Sequence, residues 1–261
     1  MQLKLYQIDA FTSQLFSGNP AAVCPLKDKW LAESLMQNIA LENNLAETAF
    51  YIFHDNEYFI RWFTPTMEVD LCGHATLAAA HVLFFHEGLH TDEVHFHSKS
   101  GVLSVCREGD FLTLDFPADT ISQVKLTNEL RKCFDILPHQ IYKGKTDYMF
   151  VYENEEQIKN IHFDLQSIEK ISARGIIITA KGNEVDFVYR FFAPQSGVPE
   201  DPVTGSAHTT LIPYWNSVLQ KDSYTAKQLS NRGGFLYCQF LNSRIKISGQ
   251  AKTYLTGEIN I

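Results

Sequence analysis

Short stretches in which apolar and polar residues alternate dominate the chain, and this pattern is typical of β-strands with one buried face. The first half contains QLKLYQIDAF, ETAFYIF, YFIRWF, VHFHS, GVLSVCREG and FLTLDFP. The second half contains DYMFVYE, GIIITAKG, VDFVYRFF, GFLYCQFL, RIKISGQA and KTYLTGEINI. EGD at 108–110 and KGNEVD at 181–186 separate consecutive stretches and predict hairpin turns. A protein rich in antiparallel strands is therefore expected.

Fewer segments carry a helical pattern. KDKWLAESLMQNIALENN spaces apolar residues three to four apart between Leu31 and Ile39, and TNELRKCFDIL is also helix-like. GHATLAAAHVLFFHE, from Gly73, is Ala-rich and apolar on nearly every side, which predicts a buried helix. SAHTTLIPYWNSVLQ, from Ser206, is its counterpart, and Pro213 is expected to kink or restart that helix.

The chain contains the same phrase twice, about half its length apart. RWFTPTMEVDLCGHATLAAA begins at Arg61 and RFFAPQSGVPEDPVTGSAHTTL begins at Arg190. Aligning the two arginines places Gly73 opposite Gly205 when three residues are inserted in the second copy. Both copies predict a strand, a loop, a glycine and then a buried helix. Such an internal repeat indicates two similar structural units.

This order of elements predicts an α+β fold of two similar lobes, each built on a mostly antiparallel sheet. The first lobe is expected to span residues 1–117, and the second residues 118–254. We expect the C-terminal strand near 255–261 to return to the first lobe. The two glycine-led helices would then face one shared cleft.

Composition limits the function. The chain has 261 residues, of which 45% are hydrophobic, a net charge of −8 and no cluster of Lys and Arg. A nucleic-acid partner is therefore not expected. ATLAAAHVLFF, the longest apolar stretch, is shorter than the roughly 20 residues that a bilayer span needs, so no membrane partner is expected. The start lacks a signal-peptide pattern, and five cysteines without a C-x-x-C pair indicate reduced thiols in the cytoplasm.

The repeated glycine-led helices suggest an anion-binding site. A helix N-terminus exposes unpaired N–H groups and carries a partial positive charge, so it binds anions without a basic side chain. Gly73 and Gly205 lack a Cβ, which lets a ligand approach the backbone. Taken singly, each glycine is explained by a tight turn. As a pair, the helix N-termini at Gly73-His74 and Gly205-Ser206 are predicted to bind one carboxylate together.

Three titratable residues lie beside these elements. Glu47 precedes an apolar strand, Asp201 lies in a Pro-flanked loop, and His74 follows Gly73. Each alone has an ordinary explanation, as a strand-end carboxylate, a helix-capping residue and a structural histidine. A helix N-terminus is expected to lower the pKa of His74 and keep its ring neutral. Together the three residues form a plausible set for general acid–base catalysis.

Other chemistry is less well supported. Histidines cluster between His81 and His97, but no H-E-x-x-H motif occurs and Gly88 interrupts the helix, so we expect a solvated turn and no metal site. Cys72, at a helix start, is a candidate nucleophile or proton-shuttling thiol, but its repeat position holds no cysteine. GNPAAV lacks the spacing of nucleotide-binding loops, so no cofactor is expected.

Six motifs are spread over nearly the whole chain. They are DAFTSQLFSGNPAAV (9–23), NLAETAF (44–50), RWFTPTMEVDLCGHATLAAAHVL (61–83), FFAPQSGVPEDPVTGSAH (191–208), QLSNRGGFL (228–236) and RIKISGQAKTYLTGEI (244–259). Together they resemble one known family, the PhzF-like (phenazine biosynthesis) isomerases, relatives of diaminopimelate epimerase and proline racemase.

The resemblance implies two α/β lobes, each a partial barrel around a long buried helix, with the cleft between them. It implies a homodimer that needs no metal, nucleotide or pyridoxal cofactor and acts on a small carboxylate. The best-characterised members act on trans-2,3-dihydro-3-hydroxyanthranilate. The implied catalytic residues are Glu47, His74 and Asp201, and the implied carboxylate-binding residues are Gly73, Gly205 and Ser206.

Two departures from the family pattern leave alternatives open. Many members have Ser before the catalytic Glu, where this chain has Ala46. Cys72 replaces a small apolar residue and is similar to the first thiol of the epimerases, but the second lobe offers Asp201 and Ser206 instead. The sequence therefore predicts an isomerase that moves a C–H proton on a small carboxylic acid. A non-catalytic small-anion binding or regulatory protein and a Cys72-dependent amino-acid epimerase are the alternatives.

Overall fold

The computed structural model describes the whole chain, Met1–Ile261, as a mixed α+β protein in which strands predominate. The helices are α1 (Glu33–Asn43), α2 (Gly73–Phe85), α3 (Asn128–Arg131), α4 (Glu155–Asn160), α5 (Leu165–Glu169) and α6 (His208–Leu219). The strands are β1 (Gln2–Ala10), β2 (Asn19–Pro25), β3 (Glu47–His54), β4 (Glu57–Phe63), β5 (Glu68–Val69), β6 (Glu93–Ser98), β7 (Gly101–Glu108), β8 (Phe111–Pro117), β9 (Ser122–Gln123), β10 (Gln140–Lys143), β11 (Asp147–Val151), β12 (Gly175–Lys181), β13 (Phe187–Phe192), β14 (Ser223–Gln228), β15 (Gly234–Leu241), β16 (Arg244–Gly249) and β17 (Ala251–Asn260).

The alternating stretches are strands, and the two predicted hairpins join β7 to β8 and β12 to β13. β2 escaped prediction because its sequence does not alternate. Its residues NPAAVCP are almost all buried, since β2 lies between β1 and β3 and has no solvent face. β10 and β14 were also missed.

Two predicted helices are shorter than their patterns suggested. α1 begins at Glu33, because Trp30 and Leu31 leave the helix to pack against the core of the first half. α3 has four residues and starts at the side chain of Thr127, which accepts a hydrogen bond from the Leu130 N–H. It ends early because Cys133 and the residue after it turn into an apolar core.

Of the two outcomes predicted at Pro213, a kink or a restart of the helix, the restart was wrong, because α6 runs unbroken from His208 to Leu219. Proline has no N–H and leaves the carbonyl of the residue four positions earlier without its helical partner. Here that carbonyl belongs to Thr209, and it accepts a 3.0 Å hydrogen bond from the Asp119 N–H. A contact from outside the helix thus replaces the missing bond.

The chain divides into two compact units. One comprises Met1–Asp115 with Ser248–Ile261, and the other comprises Phe116–Ile247. β17 returns to the first unit and pairs antiparallel with the whole of β1, from Gln2↔Asn260 to Ala10↔Ala251. The sequence analysis placed the boundaries a few residues later, after residues 117 and 254.

The two units share one order of strand pairing. In the first, β1–β2 is antiparallel, β2–β3 parallel, β3–β4 antiparallel, β4–β6 parallel and β6–β7 antiparallel. In the second, the pairs β10–β11, β11–β12, β12–β13, β13–β14 and β14–β15 follow the same alternation. The repeated phrase occupies corresponding positions, with α2 following β4 in one unit and α6 following β13 in the other.

A matching ion pair explains why each copy of the phrase begins with arginine. Arg61 donates two hydrogen bonds of 2.7 Å to Glu68, and Arg190 donates bonds of 2.7 and 3.0 Å to Glu200. In each unit a strand arginine therefore holds the loop that leads to the glycine-led helix. The pairs span seven and ten residues, and this difference accounts for the three inserted residues.

α2 is the buried helix that its composition predicts, and every residue from Gly73 to Phe84 is buried. Its alanines allow the backbone to lie close to β1, β2 and β3, because their side chains fill little space. The helix must therefore start inside the unit, where its first N–H groups are removed from bulk water. No helix in the structure combines the length and apolar character needed to cross a membrane.

Candidate active site

The first unit brings three predicted site residues together at one edge of its sheet. β2 and β3 are adjacent and parallel, so their first residues, Asn19 and Glu47, lie at the same edge. α2 begins at Gly73 and places His74 in its first turn. Glu47 and His74 are 27 residues apart in the chain, and it is the parallel pairing that aligns Glu47 with the helix start.

The side chain of His74 lies at the centre of this cluster and is only 6% exposed. Its Nε2 is 3.1 Å from the Glu47 Oε2, within ion-pair distance. Their orientation does not make a hydrogen bond, so both buried atoms lack a hydrogen-bond partner. The other ring nitrogen, Nδ1, is 3.2 Å from the Asn19 Nδ2 and 3.6 Å from the Cys72 Sγ. The His74 Nε2 and the Glu47 Oε2 can each therefore form a hydrogen bond with a bound ligand.

The expectation that His74 is neutral was wrong. Burial favours the neutral ring, but the adjacent Cys72 and Glu47 outweigh it and raise the pKa of His74 well above its ordinary value of 6.5. Burial, together with the nearby Glu47, also raises the pKa of the Cys72 thiol. A full charge at 3.1 Å exceeds the effect of a helix terminus.

Gly73 begins α2 with its N–H free of the helical ladder, whose first bond runs from the Thr76 N–H to the Cys72 carbonyl at 3.2 Å. The preceding Cys72 is extended and does not cap the helix with its side chain. Gly73 does not have a positive φ, and neither does Gly205, so no left-handed turn accounts for either glycine. The amides of Gly73 and His74 therefore remain available to an anion.

Asp201 lies in the second unit, in the loop between β13 and α6. Its carboxylate accepts a hydrogen bond from the Thr204 hydroxyl and does not cap the following helical turn. Gln228 fixes this loop from inside the unit, since its side chain accepts from the Thr204 N–H at 2.7 Å and donates to the Asp201 carbonyl. The stretch QLSNRGGFL thus contributes a supporting residue that the sequence analysis did not single out.

Gly205 and Ser206 begin a 3₁₀ turn, Gly205–Ala207, that leads directly into α6. The second glycine-led helix therefore starts more tightly than α2. His208 stabilises the turn by donating from Nδ1 to the Gly205 carbonyl at 3.0 Å. Asp201, Gly205 and Ser206 all lie in one short segment of the second unit, so the structure keeps this predicted half-site in one place.

Sequence reasoning missed a charged pair that contacts Ser206. The guanidinium of Arg174 donates from Nη1 to the Ser206 Oγ at 2.8 Å. It also binds both carboxylate oxygens of Asp147, which is fully buried at the start of β11. Nothing in the local pattern marks either residue, because Asp147 and Arg174 lie 27 positions apart and are brought together by the pairing of β11 with β12.

The ligand atoms of Glu47, Cys72 and His74 lie within 4.8 Å of one another, and these residue types bind zinc. In the contacts that are present, Nδ1 of His74 faces Cys72 and Nε2 faces Glu47. Among these three groups the structure shows an ion pair between His74 and Glu47.

Known proteins match this sequence over nearly the whole chain. The family model described as phenazine biosynthesis-like protein, PhzC-PhzF, matches residues 8–257. A Pseudomonas aeruginosa protein described as an uncharacterized isomerase is 50% identical over the full length of both chains. A crystal structure of a phenazine biosynthesis PhzF-family protein from Enterococcus faecalis covers 100% of both chains with a TM-score of 0.96 and 43% identity.

The fold extends to more distant proteins. A hydroxyproline epimerase from Agrobacterium vitis aligns over 99% of this chain and 92% of its own, with a TM-score of 0.63 and 9% identity. At that identity the likeness concerns the fold alone. The full-length family match and the close relatives establish that the chain belongs to the phenazine biosynthesis-like (PhzC-PhzF) family.

Proposed function

We propose that this protein is a cofactor-independent isomerase that moves a C–H proton on a small carboxylic acid. Glu47 acts as the principal base and acid, and His74 and Asp201 assist proton transfer. Gly73, Gly205 and Ser206 hold the substrate carboxylate. Membership in the family supports the isomerase class, since close relatives are described as isomerases.

The observation that carries the proposal is the contact between the partly buried Glu47 and the buried His74. The Glu47 Oε2 lies 3.1 Å from the His74 Nε2, and a carboxylate can accept a proton from carbon. Neither facing atom has a hydrogen-bond partner, so a substrate group that contacts both would meet a base and an acid. Burial strengthens these interactions because little water screens them.

The proton path follows from the charges. Glu47 takes the proton from the substrate carbon, and negative charge develops next to the substrate carboxylate. The amides at the start of α2 and at the Gly205–Ala207 turn stabilise this charge by hydrogen bonds. In this proposal Asp201 returns a proton to the substrate or holds the substrate in position.

The Cys72-dependent epimerase remains the second candidate, because the Cys72 Sγ is 3.6 Å from the His74 Nδ1. The raised pKa of the thiol argues against it, since a protonated thiol is a poor base. The Cys72→Ser variant separates the two. We expect it to keep most of its activity, whereas a thiol mechanism would lose activity by orders of magnitude.

The homodimer and the cytoplasmic location stay predictions.

The test of the proposal is proton exchange in D₂O, followed by NMR, with small cyclic and amino carboxylates. We expect deuterium to enter one substrate class with the wild type. In Glu47→Gln the rate should fall by at least ~10²–10⁴-fold, because the amide keeps the shape but cannot accept the proton. Ligand binding should persist in that variant.

Glu57→Gln is the matched control. Glu57 forms a similar His–Glu pair with His97 at 3.5 Å in the same unit, but both side chains are substantially exposed. This variant should exchange like the wild type. Full exchange by Glu47→Gln would refute the assignment of the base. Tight binding of a carboxylate by the wild type without exchange of any compound would favour the small-anion binding protein.

A further inference from the structure

The guanidinium of Arg174 contacts Ser206, a predicted carboxylate-binding residue of the second unit. Its Nε donates to the Asp147 Oδ1 at 2.9 Å, and its Nη2 donates to the Oδ2. The guanidinium also lies over the ring of Phe191, with 5.2 Å between the Arg174 Cζ and the ring centroid. These contacts fix the plane of the guanidinium and leave only its Nη1 edge pointing towards Ser206.

The contact with Arg174 determines whether the Ser206 hydroxyl donates or accepts its other hydrogen bond. A guanidinium has no acceptor, so Arg174 must donate to the Ser206 Oγ, as the 2.8 Å distance indicates. The hydroxyl hydrogen is then left to donate to another group, and no acceptor for it is present in the protein. Ser206 is thus a preset donor, and the second Nη1 hydrogen of Arg174 lies beside it.

The two partners of the Asp147–Arg174 ion pair differ in solvent exposure. The Asp147 side chain is 1% exposed, whereas the Arg174 side chain is 36% exposed. The carboxylate is therefore the anchor, and the cation is the part that solvent or a ligand can reach. Asp119 and Asp201 also interact electrostatically with Arg174. Without the guanidinium, this region would repel a second anion.

A second arginine in the same unit shows what a purely structural pair looks like. Arg190 binds Glu200 through Nε and Nη2, as Arg174 binds Asp147. Its Nη1 donates to the Ile158 carbonyl at 3.2 Å, and the side chain is only 10% exposed. The Nη1 of Arg190 therefore donates to a backbone carbonyl, whereas the Nη1 of Arg174 donates to a hydroxyl of the candidate site.

We propose that Arg174, held by Asp147, is a substrate-binding residue that selects carboxylates over neutral analogues at Ser206. This assignment rests on the proposed function, since it adds to the same site a residue that distinguishes charged from neutral ligands. The substrate carboxylate would accept one hydrogen bond from the Ser206 hydroxyl and one from the Arg174 Nη1. Such a charge-assisted pair discriminates strongly against a carboxamide, which carries no charge and presents an NH₂ group to the same donors.

The test compares binding of benzoate and anthranilate with that of benzamide and anthranilamide, by calorimetry or ligand NMR. We expect the wild type to prefer the carboxylates. In Arg174→Gln that preference should fall roughly 10- to 100-fold, the effect of losing one hydrogen bond to a charged group. Arg174→Lys should recover only part of it, because lysine keeps the charge and loses the fixed fork.

Removing Arg174 alone leaves Asp147 buried without its cation, so the fold needs its own control. The double variant Arg174→Gln with Asp147→Asn replaces the ion pair by two neutral amides, and its thermal unfolding shows whether it folds. The matching Arg190→Gln with Glu200→Gln variant should keep the wild-type preference. If it also lost the preference, the effect would be one of general stability and the assignment would fail.

The outcomes separate this inference from the proposed function. A folded double variant at Arg174 that retains the full carboxylate preference, or a wild type that shows none, would overturn the assignment. If Glu47-dependent exchange persists in that case, the proposed isomerase stands. Loss of the preference in the double variant without exchange in any wild-type sample would support the binding role and count against the isomerase.

Discussion

Glu47 and His74 show how one contact changes the chemistry of a residue. His74 at a helix start is expected to be neutral, since the helix terminus carries partial positive charge. The carboxylate of Glu47 at 3.1 Å reverses this and favours the charged ring. The identity of each residue was predictable from its motif, whereas its protonation state depended on a neighbour 27 positions away in the chain.

A titration of the His74 ring by NMR tests this reversal. In the wild type we expect a pKa well above the ordinary value of 6.5, because the charged ring pairs with Glu47. Glu47→Gln should lower that pKa, since the anion is gone while burial still favours the neutral ring. Glu57→Gln, which removes the carboxylate 3.5 Å from His97 in the same unit, is the control and should leave the pKa of His74 unchanged. An equal change in both variants would contradict a direct effect of Glu47.

The elements show which local patterns were overridden by packing. α2 was predictable because its apolar residues surround the whole helix, whereas α1 lost its first predicted turn to core contacts of Trp30 and Leu31. β2 was hidden because burial on both faces removes the alternation that identifies strands. The loop from Asp201 to Thr204 depends on Gln228, a residue of β14 that lies more than 20 positions later.

Removing this brace gives a test at the level of the element. Gln228 is fully buried, and Gln228→Ala would remove the hydrogen bonds that its side chain makes with the Thr204 N–H and the Asp201 carbonyl. Each unsatisfied buried group costs about 1–3 kcal/mol, so we expect a marked loss in the free energy of unfolding measured with urea. Lys227→Ala, an exposed neighbour on β14, should cost less than about 0.5 kcal/mol. Equal losses in both variants would contradict a bracing role.

At the scale of the whole molecule, buried histidines link stability to pH in opposite directions. Burial, with the nearby charges of His86 and Lys252, lowers the pKa of His81 to about 4, and burial lowers that of His208 to about 4. Their contribution is complete above the unfolded pKa of about 6.5 and is lost as the pH falls towards 4. The raised pKa of His74 acts in the other sense, since its contribution is complete below 6.5 and is lost as the pH rises.

We expect acid to destabilise the protein between pH 6.5 and 4. At pH 5 each of the two neutral histidines removes roughly 2 kcal/mol from the free energy of unfolding. His81→Gln removes one of these titrations, while its amide can replace the 3.0 Å contact of the ring with the Thr253 hydroxyl. Urea unfolding at pH 7 and pH 5 should show a smaller pH-dependent loss in this variant. An unchanged loss would show that His81 is not buried in its neutral form.

The sequence by itself determined the strand-rich α+β fold, the internal repeat, the buried helices and the family motifs. These follow from short-range properties, namely alternation, helical spacing and the order of a few residue types, so they can be read along the chain. The tertiary structure decided which groups meet. The contacts of Glu47 with His74 and of Arg174 with Asp147 and Ser206 join residues 27 or more positions apart, and none of them has a local signature. Protonation depends on such contacts because electrostatic energy follows distance in space.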